Sequence, residues 1–251
     1  ETFPSRLKEI SDPPEKLYIQ GVLPPEDYKW LTVVGPRKYS SYGKEVTEML
    51  VEGLSHFPVV IVSGLALGVD AIAHKAALRA KLPTVAVPGS GLNRAVLYPS
   101  ANRRLADEIR EAGGALLSEF PPDFRATTWS FPQRNRILAG LSDAVLVIEA
   151  EQKSGALITS KFATEYNRDV FTVPGSIFSP SSAGPHMLLK LGATPITSAN
   201  DLLEALGFEA AKRSALNARR LDDCTPEEKK VIALLQNPMP RDELLDSLDM
   251  P

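Results

Sequence analysis

The chain has 251 residues, 43% of them hydrophobic, with a formal net charge of −3, three histidines and one cysteine, Cys224. A single cysteine excludes a disulfide framework, a cysteine-based zinc site and a dithiol motif, and no apolar run approaches the roughly 18 residues of a membrane span. The charge total speaks against a generally basic nucleic-acid binder, but residues 1–200 hold 21 Lys and Arg against 20 Asp and Glu, while residues 201–251 hold 7 against 11, so a local basic patch on the main body stays open.

Residues 1–30 are rich in proline and end in Leu17-Tyr18-Ile19-Gln20, which reads as a lead-in strand. From Leu31 onward, short apolar runs ending in Gly, Ser or an acid alternate with helical patterns. The runs Leu31–Val34, Val59–Val62, Thr84–Val87, Ala115–Leu117, Ala144–Ile148 and Val170–Val173 lack polar alternation, as strands buried on both faces do. Helices are predicted over Tyr42–Ser55, Val69–Ala80, Asn102–Ala112, Gln133–Leu141 and Leu157–Tyr166. This rhythm predicts an α/β fold, an extended Rossmann-like, doubly wound and mostly parallel sheet, in residues 1–207. A linker is expected over 208–221. In 222–251, the capping box Thr225-Pro226-Glu227-Glu228 opens a helix, and a second short helix follows from Arg241, giving a partial, truncated winged-helix unit. Neither Glu1 nor Pro251 reads as a natural start or a completed element, and no signal-peptide pattern opens the chain; a soluble, cytoplasmic protein is expected.

Ligands of such sheets bind outside the carboxyl ends of the strands, and several motifs collect there. Arg37 follows the first long strand in Val33-Val34-Gly35-Pro36-Arg37-Lys38, placing a guanidinium at the rim. Ser63-Gly64-Leu65-Ala66-Leu67-Gly68-Val69-Asp70 is a glycine-rich turn into a helix; it either cradles a phosphate or needs small residues only for packing. Phe131 precedes Arg134-Asn135-Arg136, with Trp129 and Arg125 nearby, a mixture of rings and guanidinium groups that suits a single strand of nucleic acid as well as it suits core packing. Ser154-Gly155 opens a helix carrying Thr159 and Lys161, and free N–H groups at such a start favour a phosphate. Asp70 and His74 are spaced to share a metal, but no third ligand accompanies them; Glu119 and Glu149 end strands as a ribose-binding acid does, or serve structure. A Walker A motif and a GxGxxG turn after the first strand are missing, which disfavours ATPase and ordinary NAD-enzyme readings, and no GxSxG nucleophile elbow appears.

In order along residues 2–206, these landmarks resemble the DNA-processing protein A (DprA/Smf) family: Val34-Gly35-x-Arg37, Tyr42-Gly43, Ser63-Gly64-x-Ala66-x-Gly68-x-Asp70-x-x-Ala73-His74, Tyr98-Pro99-x-x-Asn102, Ser118-Glu119, Phe131-Pro132-x-Arg134-Asn135-Arg136, Ser154-Gly155-x-Leu157-x-Thr159, Pro174-Gly175 and Gly192-Ala193. The resemblance implies a homodimeric protein that binds single-stranded DNA without catalysis, cofactor or metal, protects incoming DNA during natural transformation and loads a RecA-type recombinase. It implies that Arg37 pairs a phosphate, that Phe131 stacks a base, and that Arg134, Arg136, Ser154, Gly155 and Thr159 shape the same pocket. Lys38, Gly64, Arg94 and Lys161 complete the expected DNA-binding set. The family's N-terminal helical domain is not seen in these residues, and Pro36 and Pro88 depart from its usual pattern; Pro36 removes one N–H donor from the first turn. The alternative is a nucleotide-cleaving phosphoribohydrolase on a related scaffold, whose PGGxGTxxE helix start is matched only in part by Pro88-Gly89-Ser90-Gly91 and Pro174-Gly175-Ser176. A mononucleotide sensor using the same pocket is a third possibility.

Overall fold

The computed structural model describes residues 3–208 and Thr225; the rest of the expected linker and the expected winged-helix unit lie outside them. The chain divides into Glu1–Leu206 and Gly207–Pro251, and the first unit is described by itself.

Its elements run α1 (Ser5–Lys8), β1 (Tyr18–Gly21), β2 (Lys29–Val34), α2 (Ser41–Glu52), β3 (Val59–Ser63), α3 (Val69–Arg79), β4 (Thr84–Ala86), α4 (Arg103–Glu111), β5 (Ala115–Ser118), α5 (Ser130–Leu141), β6 (Ala144–Val147), α6 (Gly155–Glu165), β7 (Asp169–Thr172), α7 (Ala183–Lys190), β8 (Thr194–Pro195) and α8 (Ala199–Ala205). One sheet takes the order β1-β5-β4-β3-β2-β6-β7-β8. All neighbours are parallel except the lead-in strand β1, which runs antiparallel along β5 with Tyr18 opposite Ser118. The doubly wound, mostly parallel arrangement is the one the strand–helix alternation predicts.

Every residue of β3, β4, β5 and β6 is buried, so the unbroken apolar runs are strands covered on both faces. One face packs Val60, Val62, Val145 and Val147 with Ile137 and Leu138 of α5 and Ala156 and Ala163 of α6. A second cluster gathers Leu65 and Ala71 with Leu105, Ala106 and Ile109 of α4 and Leu116 of β5.

From β2 the chain steps outward through β3, β4 and β5, then returns to place β6 on the other side of β2, with Leu31 beside Ala144 and Val34 beside Val147. The order reverses between β2 and β6, and the loops leaving their carboxyl ends part there, opening the crevice that such sheets use for ligands.

Four elements escape the residue pattern: α1, α7, β8 and α8. The strand β8 has two residues, both exposed, and is too short to show a pattern. The helix α8 does carry a legible start, since Ser198 and Asp201 form a reciprocal capping box. The helix α5 begins at Ser130, three residues before the expected Gln133. Ser130 donates its hydroxyl to Gly89 O (2.6 Å) and accepts from Thr127 N (3.0 Å), and Pro132 sits in the first turn, where its missing N–H leaves no helical bond unmade.

Gly68, the N-cap of α3, has φ +84°, and a Cβ there would lie 2.2 Å from Pro36 O and 2.6 Å from Arg37 O. The left-handed conformation and the close approach together demand glycine, and they fix the β2–α2 loop that carries Arg37. Gly68→Ala is expected to lower stability by about 1–3 kcal/mol, read as a reduced urea midpoint at unchanged m; a midpoint within error of the parent would mean that the loop is not held by this contact.

Candidate functional site

A hollow of about 330 Å³ opens at the reversal point, bounded by the β2–α2 loop, the turn into α3, the first half of α5 and the start of α6. It brings together Arg37, Phe131, Arg134, Ser154, Gly155 and Thr159 of the expected set. Its volume lies at the small end of the roughly 300–1,000 Å³ that small-ligand pockets span.

Arg37 is exposed at the rim, with its guanidinium carbon 5.1 Å from the centroid of the Phe131 ring, a cation–π contact that holds the charge over the hollow. Phe131 is fixed from behind: Tyr98 packs against it at 5.7 Å, and it lies so close to Gly89 that a Cβ on that residue would come within 2.6 Å of the ring. Opposite them, Ser154 caps α6, its Oγ accepting from Ala156 N at 3.3 Å. Asn135 donates to Gly155 O at 3.3 Å and orients the turn. The space above Gly155 is open, with no heavy atom within 4 Å of a built Cβ. A helix start facing an open hollow, with an arginine across it, can hold an anion between them.

Arg134 also lines the hollow, but not as a free hand. It is 6% exposed, donates to the carbonyls of Gly64 (2.6 Å) and Val87, and bonds Asn135 Oδ1 (3.2 Å). Burial lowers its pKa to about 10, with the Asp70 carboxylate opposing and Arg37 assisting. It remains a cation at neutral pH, lending field to the hollow while tying the ends of β3 and β4 together. Asp70 accepts from Gly64 N (3.1 Å) and Ala66 N (3.3 Å); burial raises its pKa, against Arg134 and these N–H groups. Gly64 sits between them, and a Cβ there would meet Arg134 Nη1 at 2.4 Å and Asp70 Oδ2 at 2.6 Å. The glycine-rich turn therefore packs closely between the Arg134 and Asp70 side chains.

The remaining expected residues are dispersed. Arg136 points off the other side of α5, paired with Glu119 and with Asp12 (3.2 Å), and does not line the hollow. Lys38 is exposed beside Arg37. Arg94 pairs with Asp107 and lies outside the hollow. Lys161 lines a neighbouring groove on α6. Trp129 joins Phe120 and Phe124 in an edge-to-face cluster and stays out of the hollow. Glu149 has a structural task, accepting from Ser40 Oγ (2.6 Å) and Ser181 Oγ (2.8 Å). His74 is fully buried and bonds Thr84 Oγ1 at 2.8 Å, so it does not join Asp70 at a metal; among the described residues no group of three or more His, Cys, Asp or Glu could hold one. The Pro88-Gly89-Ser90-Gly91 turn is buried, with Gly91 pressed against Pro121 O and Pro122 O, which leaves no open cradle for a phosphate there.

Sequence reasoning does not single out Asn135 or Tyr98 as site residues. Both stand within the family landmarks, and the available signal is their place beside Arg134 and before Pro99. A larger cavity of about 480 Å³ lies at the other end of the sheet, near Trp30 and Leu141. Its two charged residues, Arg6 and Glu26, are tied to Tyr28 O and to the Ser5 hydroxyl, so it offers an anion nothing.

A family model for DNA recombination-mediator protein A matches residues 1–207. The chain belongs to this family. Protein Smf of Escherichia coli is 44% identical over 208 residues, 83% of this chain and 55% of that protein, so the chain spans about half the length of this relative. DNA processing protein DprA of Bacillus subtilis is 42% identical over 81% of this chain and 68% of its own length. Among solved structures, DNA processing protein A of Streptococcus pneumoniae superposes with TM-score 0.76 at 44% identity, covering 82% of this chain and 71% of that one. The Helicobacter pylori protein, solved for its single-stranded DNA binding mode, gives TM-score 0.72 at 32% identity, over 82% and 93%. A molybdenum cofactor binding protein from Rippkaea orientalis, at 15% identity and TM-score 0.52 over 71% of this chain, shares the fold alone. Among the described residues no helix is long and apolar enough to cross a membrane.

Proposed function

We propose that this family member is a non-catalytic, cytoplasmic single-stranded DNA-binding protein that protects incoming DNA during natural transformation and hands it to a RecA-type recombinase. The observation that carries this reading is the Arg37 guanidinium held over Phe131, facing the open start of α6 across one hollow. A phosphate set between Arg37 and the Ser154-Gly155 turn meets a guanidinium on one side and helix N–H groups on the other, while the adjoining base lies against Phe131 or the guanidinium plane. Family membership and the single-stranded DNA binding of the Helicobacter pylori relative support it.

The test is fluorescence anisotropy with labelled oligo-dT across a salt series. Binding is expected with little sequence preference, falling steeply as salt rises. Arg37→Ala is expected to weaken it about 10- to 100-fold, from removal of a charge-assisted bond and a cation–π support. Affinity for oligo-dT no higher than background at low salt, or release of a free base from nucleoside monophosphates, overturns the reading. Homodimer formation, read by light scattering, and a winged-helix unit over 222–251 after a linker at 208–221 belong to the same proposal.

A further inference from the structure

The hollow is small, about 330 Å³, so a bound strand must leave it in some direction. A second groove, of about 470 Å³, adjoins it along the outer face of α6 and shares Ser154 with it. Its lining combines Lys153 and Lys161 with Leu157, Ile158 and Phe162. Positions 154, 157, 158, 161, 162 and 165 recur at the three- and four-residue spacing that places side chains on one helix face. The helical rise from 154 to 165 makes that face about 16 Å long.

The chemistry of this face suits a strand in extension. Ile158 is 38% exposed, and with Leu157 and Phe162 it offers an apolar floor for base faces. Phe162 is itself stiffened by stacking on Tyr166, centroids 5.8 Å apart. Lys153 is exposed. Lys161, with 78% of its side chain exposed, pairs with Glu165 at 3.7 Å. That pair has the lysine on the N-terminal side, the weaker orientation for i,i+4 partners, and an exposed pair of this kind yields readily to a phosphate. Glu165 repels a phosphate and so marks where the track ends.

We propose that single-stranded DNA leaves the Arg37–Gly155 hollow over the capping Ser154 and runs along α6, with Lys153 and Lys161 on its phosphates and the Leu157–Ile158–Phe162 floor under its bases. This rests on the single-stranded DNA reading above. The experiment compares dT3 with dT12 binding to the parent, Arg37→Ala and the double variant Lys153→Ala/Lys161→Ala, with far-UV circular dichroism confirming the fold of each.

The double variant is expected to weaken dT12 about five- to tenfold and to leave dT3 within twofold. Its salt slope on dT12 should fall by about 1.4, since each phosphate that a lysine neutralises on a single strand adds about 0.7. Glu165→Gln is expected to tighten dT12 two- to threefold. If Arg37→Ala weakens both oligonucleotides while the double variant matches the parent on dT12, the track is wrong and the hollow stands. If the double variant weakens dT3 as much as dT12, the lysines act only through a general field and the track is again wrong. If neither oligonucleotide binds the parent, the underlying reading fails with it.

Discussion

Arg134→Met is expected to lower the unfolding free energy by about 3–5 kcal/mol, more than any substitution on the rim of the hollow. Arg134 is 6% exposed, and its guanidinium donates to the carbonyls of Gly64 and Val87, the residues that follow β3 and β4. Methionine fills much of the volume but takes the guanidinium donor away from both carbonyls. It also leaves Asp70, already pushed toward its protonated form by burial, without the cation that opposes that shift. Asp70 is then expected to take up a proton, so Asp70→Asn in the Arg134→Met background should cost less than in the parent, a coupling of about 1 kcal/mol or more. Urea unfolding of the four members of the cycle measures this. A drop under about 1 kcal/mol for Arg134→Met, with oligo-dT affinity falling as far as in Arg37→Ala, would make Arg134 a ligand-binding hand and not a brace.

The contrast between Arg134 and Arg37 shows what the residue pattern can and cannot convey. Alternation of apolar runs with helical stretches is enough for the sheet, because strands buried on both faces have no polar residues to interrupt them: β3 and β6 read directly from Val59-Val60-Ile61-Val62 and Ala144-Val145-Leu146-Val147. The start of α6 is equally plain, since Ser154 caps through its own side chain. The elements from 183 to 195 are not legible in this way, because β8 is two exposed residues and α7 holds glycine and proline in its first turn, where helical periodicity is weakest.

Within the site, the difficulty is that a helix hides direction. Arg134 and Arg136 are two apart on α5, about 200° around the axis, so they cannot serve one pocket. Arg134 turns under the sheet ends, and Arg136 turns to Glu119 and Asp12. An Arg-Asn-Arg string looks like a cluster of phosphate donors, but α5 packs between β-strands and the N-terminal segment and buries both guanidinium groups. Arg37 escapes this because Pro36 and the contact with Gly68 hold its loop at the surface. The electrostatics of the hollow are thus layered: a buried cation, Arg134, lies beneath it, and an exposed one, Arg37, stands at its rim, where the proposed strand would meet it.

The second large effect concerns acid. His74 lies wholly buried in α3 against β4. Thr84 Oγ1 already donates to Ile61 O at 2.8 Å, so it accepts from His74, which places the imidazole proton on Nδ1. Burial brings its pKa down to about 3; the Ser63 backbone opposes and the charge of Arg134 adds to the fall. The native state therefore refuses a proton that the unfolded chain accepts below about pH 6.5. The stability linked to neutral His74 is complete above that value and is lost as pH falls toward 3, by about 1.4 kcal/mol per pH unit and up to roughly 5 kcal/mol in all. Asp70 and Glu119, whose pKa values are raised mainly by burial, act in the opposite sense at the lower end of this window, so the comparison that isolates the imidazole is with His74→Gln, which retains a donor for Thr84. Unfolding free energies measured from pH 7 to pH 4 should fall more steeply for the parent than for His74→Gln, by about one proton's worth of slope. Parallel curves for the two proteins would mean that His74 gains a proton in the folded state as easily as it does in the unfolded chain.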